Sequence, residues 1–137
     1  MIIVHHGLEV VLPDFWWRDA GMENFAPSSP AYCSHLSDTS QQVFEICISD
    51  IGPVERSPGI GIFNDNHEAT ARDRVVRILI GFRSGSSIPP VEIVEEPAGS
   101  AHRFKLTSGC HRFYCSLAAS FTHVPAVRGS DIRTLDR

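Results

Sequence analysis

The spacing of apolar positions changes several times along the chain, and each change marks an element. Val43-Phe44-Glu45-Ile46-Cys47-Ile48 is a short run of β-branched and aromatic residues, and Ser49-Asp50-Ile51-Gly52-Pro53 closes it, which predicts a strand and a turn. Beginning between Ala69 and Arg72 the spacing lengthens to three and four residues through Val75, Val76, Leu79 and Phe82, which predicts a helix ending at Ser84-Gly85-Ser86-Ser87. Val91 to Glu96 and Arg103 to Thr107, joined by Pro97-Ala98-Gly99-Ser100, read as a hairpin. Phe113, Tyr114, Leu117, Ala118 and Phe121 then predict a second helix, and Val124-Pro125-Ala126-Val127 a last strand. Helices interleaved with hairpin-connected strands predict an α+β domain, a small mixed sheet flanked by helices.

The first 42 residues differ from the rest. Leu8 to Leu12 reads as a short strand, Pro13-Asp14 as a helix start, and Phe15-Trp16-Trp17 as an apolar cluster holding both tryptophans. Aromatic residues contribute mainly through burial, so this cluster is expected to anchor residues 1–42 on a domain spanning 43–137, rather than to stack on bases. Ala26-Pro27-Ser28-Ser29-Pro30 and the segment from Ser34 to Gln42 are rich in turn formers and predict a linker. No run approaches the length of a membrane span, and Met1 to His6 lacks the basic start of a signal peptide, so a cytoplasmic location without a membrane partner is expected.

Charge narrows the function. Sixteen acids against twelve bases give a formal charge of −4 over 137 residues, which argues against coating nucleic acid by bulk charge but leaves room for a local basic pocket. Eleven of the twelve bases are Arg and only Lys105 is Lys, so most cations here can make two-pronged contacts with phosphate; codon usage in a GC-rich genome produces the same bias. Cys33, Cys47, Cys110 and Cys115 form no Cys-x-x-Cys pair and are read as thiols. His5 and His6 are adjacent in an extended segment, where alternate side chains point to opposite sides, so a metal shared between them is not expected.

The informative stretch is Thr107-Ser108-Gly109-Cys110-His111-Arg112, between a strand and a helix. A glycine there permits a sharp turn, and the amides opening a helix favour an anion. His111 and Arg112 in the first turn add side-chain donors, so the expected ligand group is a phosphate.

Gly109-Cys110-His111-Arg112 followed by an aromatic resembles the signature of sulfiredoxin and fits the broader phosphate-loop pattern of ParB-like domains. The resemblance covers about residues 43–130: Val43 to Pro53 as first strand, Arg74 to Arg83 as first helix, Ile88 to Ile93 as the proline-led strand, and Phe104 to Val127 as strand, phosphate loop, helix and final strand. It implies a ParB/sulfiredoxin fold and a nucleotide pocket in which Ser108, Gly109, Cys110, His111 and Arg112 hold phosphates. A family lysine falls on Arg74, keeping a cation, whereas two family hydroxyl residues fall on Arg77 and Gly81. That departure weighs against ATP-dependent repair of sulfinic acid. In sulfiredoxin the motif cysteine is catalytic, which makes Cys110 a candidate nucleophile; a residue that simply tolerates the turn is the alternative. A thiol opening a helix beside His111 and Arg112 is also favoured as thiolate. In ParB-like proteins an arginine-bearing loop follows the first strand. Glu55 and Arg56 stand there, as base or magnesium holder and as phosphate or sugar contact, or as an ordinary surface pair. Glu68 and Asp73 are weaker candidates, because acids near a helix start are favoured by the dipole alone.

The expected function is therefore a small nucleotide-binding enzyme that hydrolyses or transfers a phosphoryl group of ATP, ADP or CTP with Mg²⁺. Arg56, Arg74, Arg77 and residues 108–112 would hold the phosphates, and Cys110 and Glu55 are the catalytic candidates. The alternatives are a ParB-like DNA-interacting nuclease or inhibitor, and a sulfiredoxin-like reductase acting on a protein substrate through Cys110. The chain stops at Arg137 without a recognition helix, so DNA binding by helix-turn-helix is not expected.

Overall fold

The computed structural model describes residues 1–34, 41–54, 62–63 and 68–129. Among them stand two sheets and three α-helices, an α+β arrangement as the spacing of apolar residues predicts. Strands β1 (Ile2–His5) and β2 (Leu8–Val11) form an antiparallel hairpin, followed by α1 (Asp14–Asp19). Then come β3 (Phe44–Cys47), a 3₁₀ turn over Ile48–Asp50, α2 (Glu68–Ser84), β4 (Val91–Glu95), β5 (Phe104–Ser108), α3 (Cys110–Ala118) and β6 (His123–Arg128). No helix among the described residues is long and apolar enough to cross a membrane.

The larger sheet has the order β3-β6-β4-β5. Strands β4 and β5 pair antiparallel, as the hairpin reading expects, with a register shift between Glu92 and Ile93. The last strand enters between β3, antiparallel, and β4, parallel. Val91 and Phe44 are both register partners of Ala126, so these three residues share one face of the sheet. Alternation along β4 buries Val91 and Ile93 while Glu92 and Val94 are half-buried, the pattern of a sheet with one face on the core.

Helix α2 turns Ala71, Val75, Leu79 and Phe82 inward at three- and four-residue intervals and leaves Arg74 and Arg77 exposed. Gly85 ends it at φ +73°, with its N–H bonded to Phe82 C=O and that of Ser86 to Gly81 C=O, which satisfies carbonyls left over at the helix end. Helix α3 buries Phe113, Tyr114, Cys115 and Ser116 in succession, since it packs against α2, β1, β4 and β6. It stops at Ala118, short of the reach expected to Phe121, which is buried in the following turn against Phe25 and Phe82.

Residues of the first 34 share this core. Ile3, Val10, Leu12, Trp16, Ala20, Met22 and Tyr32 belong to the same buried cluster as the sheet and helices. Trp16 is buried and Trp17 packs against the cluster, the anchoring expected of them, while Phe15 stays 47% exposed. Two features escape the sequence reading. Strand β1 was not expected, and His5 and His6 do not point apart. His6 (φ +47°) and Gly7 (φ +84°) both take left-handed conformations between the strands, as a two-residue hairpin turn requires, so the alternation breaks at His6. The two imidazoles lie with ring centres 4.4 Å apart.

Candidate functional site

Gly109 takes φ +94°, ψ +31°, a left-handed turn that reverses the chain from β5 into α3. A Cβ there would come within 2.8 Å of Val91 Cγ1 and 3.1 Å of Arg112 Nη2, so glycine is required by both conformation and space. The first intrahelical bond runs from Phe113 N–H to Gly109 C=O. The amides of Cys110, His111 and Arg112 precede it in the first turn of α3, and Gly109 brings no side-chain cap.

These residues border a cavity of about 790 Å³ whose opposite wall is α2. Arg74, Arg77, Gly81, His111 and Arg112 line it with Ile80, Ile88, Ser84, Ser86 and Ser87. Its size suits an organic ligand such as a nucleotide. The arginines of α2 lie on the same side because they are one helical turn apart. Arg74 Nη1–H donates to His111 Nδ1 at 3.5 Å, and His111 Nε2–H donates to Ile62 C=O at 3.1 Å, an arrangement that fits a neutral imidazole with its proton on Nε2. The His111 ring also stacks on Phe63 at 5.6 Å.

Arg112 donates to Pro89 C=O and Pro90 C=O, both at 3.2 Å, which fixes the guanidinium over Gly109 at the mouth of the cavity. Tyr32, from the first 42 residues, donates its hydroxyl to the same Pro89 carbonyl at 2.7 Å. Burial pushes that phenol well above its ordinary range, although Arg112 nearby opposes the shift. Tyr32 and Phe63 were missed as contributors because neither is near the motif in sequence. No local spacing carries such a signal.

The structure divides the sequence candidates. Gly109, Cys110, His111, Arg112, Arg74 and Arg77 meet at this cavity. Ser108 instead faces a second cavity of about 680 Å³ on the other side of the turn, with Gly52, His102, Lys105 and Thr107; Gly109 and Cys110 border both. Asp73 is exposed and pairs with Arg72 at 3.3 Å, and does not line the cavity. Glu55, Arg56 and the side chain of Glu68 lie outside the described residues. Cys110, first residue of α3, is half-buried, whereas Cys115 is fully buried and burial pushes its thiol well above the usual range. Gly81 has Ile88 Cδ1 2.7 Å from the position of a Cβ, so a larger side chain there would displace Ile88. Comparison of the chain with protein-family models, with curated proteins and with solved structures found no match.

Proposed function

We propose that this protein binds a nucleotide through its phosphates in the cavity between α2 and α3, and hydrolyses or transfers a phosphoryl group, in the manner of the ParB/sulfiredoxin-like proteins that its Gly-Cys-His-Arg motif resembles. The observation that carries the reading is convergence: the amide-bearing start of α3, Arg112 braced above it, and Arg74 and Arg77 from a second helix all border one cavity. Oriented amides and planar guanidinium groups are the donors that phosphate oxygens require, and several cations around one anion offset its charge. Fixing Arg112 before binding removes part of the ordering cost. Among the described residues the cavity wall carries no carboxylate, so it does not by itself fit Mg²⁺.

Calorimetric titration with ATP, ADP and CTP in magnesium buffer tests the reading. Binding that weakens at least about tenfold in Arg112→Ala supports it. No binding by the wild type, or equal binding by the variant, overturns it. A gel shift at low and moderate salt separates it from a DNA-interacting module, which would show steep salt dependence.

One observation favours a second reading, thiol chemistry on a protein substrate. Cys110 opens α3 and borders both cavities. Alkylation of Cys110 that follows an ordinary thiol pH profile would remove this reading without affecting nucleotide binding.

A further inference from the structure

Three imidazoles gather where the first hairpin meets the core, away from the phosphate cavity. His5 is buried, and its Nε2–H donates to Ile51 C=O at 2.7 Å. His6 Nε2–H donates to Ser49 C=O at 2.8 Å. Carbonyls only accept, so each ring carries a proton on Nε2, and the neutral form of each already satisfies its contact with the core. The His6 ring stands between the others, with centres 4.4 Å from His5 and 4.3 Å from His102. Among the described residues no group of three or more His, Cys, Asp or Glu side chains is placed to hold a metal ion; these imidazoles pack on one another and hydrogen-bond to carbonyls.

We propose that His5, His6 and His102 form a proton-operated latch that seats the β1–β2 hairpin on the core, and that acidification through the imidazole range unseats it. A proton taken up by His5 would place a charge inside the protein, against the neighbouring His6 ring. Burial already holds His5 below the ordinary imidazole range, opposed by its bond to the Ile51 carbonyl and reinforced by the neighbouring His6 and His102.

Charged groups face the junction from several elements, and Glu96 and Lys105 line one cavity with His102. From α3 come the rings of Phe113 and Tyr114, 5.2 and 6.1 Å from His5. From the 3₁₀ turn comes Asp50, paired with Arg103 at 3.6 Å, and Arg103 adds a cation next to His102 in sequence. On β2 the carboxylate is Glu9, exposed and opposite Val4. A two-stranded hairpin is marginal by itself, so β1–β2 depends on its seat: the apolar contacts of Ile3, Val10 and Leu12, and the two imidazole–carbonyl bonds.

The latch reaches the segment on which it closes. The His102 ring lies so near Gly52 that a Cβ there would be 2.8 Å from His102 Cδ2. Ile51 bridges to Phe104, Gly52 N–H donates to Phe104 C=O, and Val54 N–H donates to the Tyr114 hydroxyl. His5 therefore holds the carbonyl of a segment that also ties β5 to α3, and proton uptake at the hairpin bears directly on residues 51–54.

Hydrogen–deuterium exchange of the full chain at about pH 7 and about pH 5, corrected for intrinsic exchange, tests the latch. Protection over residues 2–11 is expected to fall at least about fivefold at the lower pH, while β4 and β6 keep theirs. His5→Gln keeps an N–H donor for Ile51 but cannot take up a proton, and should reduce the change to below about twofold. Equal hairpin protection at the two pH values, a uniform loss across all strands, or a His5→Gln response equal to wild type each overturns the proposal. If His5→Gln fails to fold, the imidazole resonances of the wild type decide. A His5 midpoint below 6.5 with hairpin amides moving at the same midpoint supports the latch. A midpoint at or above 6.5, or hairpin amides that do not respond, overturns it.

Discussion

Two clusters of basic side chains lie at opposite treatments of charge in this protein. At the cavity between α2 and α3, Arg74, Arg77 and Arg112 are permanently charged; the first two are exposed and the third is half-buried against the Pro89 and Pro90 carbonyls. At the hairpin junction, His5, His6 and His102 are neutral-capable rings in contact, with His5 inside the protein. Guanidinium groups cannot shed their protons, so bringing several together is tolerable only where solvent or an anion screens them. Imidazoles can remain neutral and be packed like aromatic rings. The first arrangement is therefore suited to hold an anion, and the second to respond to protons.

That contrast can be broken experimentally. The largest effect is expected at the arginines: replacing Arg74 and Arg77 together by Ala should weaken ATP binding about 30- to 100-fold by calorimetry and leave the thermal midpoint nearly unchanged, since both are exposed. At the hairpin the order reverses. His5→Ala removes a buried ring and leaves the Ile51 carbonyl without its donor, which should cost about 2–3 kcal/mol in urea denaturation without changing phosphate affinity.

Gly109→Ala touches the turn before α3 and should cost about 1–2 kcal/mol of stability, from its left-handed backbone and the contact with Val91, with the proposed nucleotide binding read in the same samples and expected to fall. The pH response sharpens the comparison further. His5 in the folded protein binds its proton more weakly than in the unfolded chain, whose pKa is near 6.5. Its contribution is thus fully present above pH 6.5, declines as pH falls toward the folded pKa, and levels off below that. Urea midpoints measured through this range should fall with acidity in the wild type and flatten in His5→Gln. The smallest effect is expected at Asp19, whose exposed bond to Arg72 at 2.7 Å joins α1 to α2: Asp19→Ala should leave the thermal midpoint unchanged within error.

Much of the fold is legible in the spacing of apolar residues. The helix over Val75, Leu79 and Phe82, the Val91–Glu95 and Phe104–Ser108 hairpin and the strand around Val124 all fall where that spacing puts them, because burial on one face imposes its period on the sequence. Strand β1 was missed because Ile2, Ile3 and Val4 form a continuous apolar run without alternation; in the folded chain Ile2 and Val4 are 66% and 58% exposed. Of the candidate site, the glycine turn and the placing of Arg74 and Arg77 on one helix side could be read locally. The brace of Arg112 on Pro89 and Pro90, shared with Tyr32, could not, since it joins residues up to 80 positions apart in the chain.

The sequence by itself determined the α+β class, the order of elements after residue 43 and the sharp turn at Gly109, all of which follow from interactions within a few residues. Only the tertiary structure decided that the two helices place their cations around one cavity, that Ser108 faces away from it, and that His5 and His6 share a side. The last of these turns on two positive φ angles at His6 and Gly7, a turn geometry that hairpin closure selects and residue spacing does not encode. Local periodicity fixes which face of an element is apolar; which elements meet, and hence which charges become neighbours, depends on packing across the whole chain.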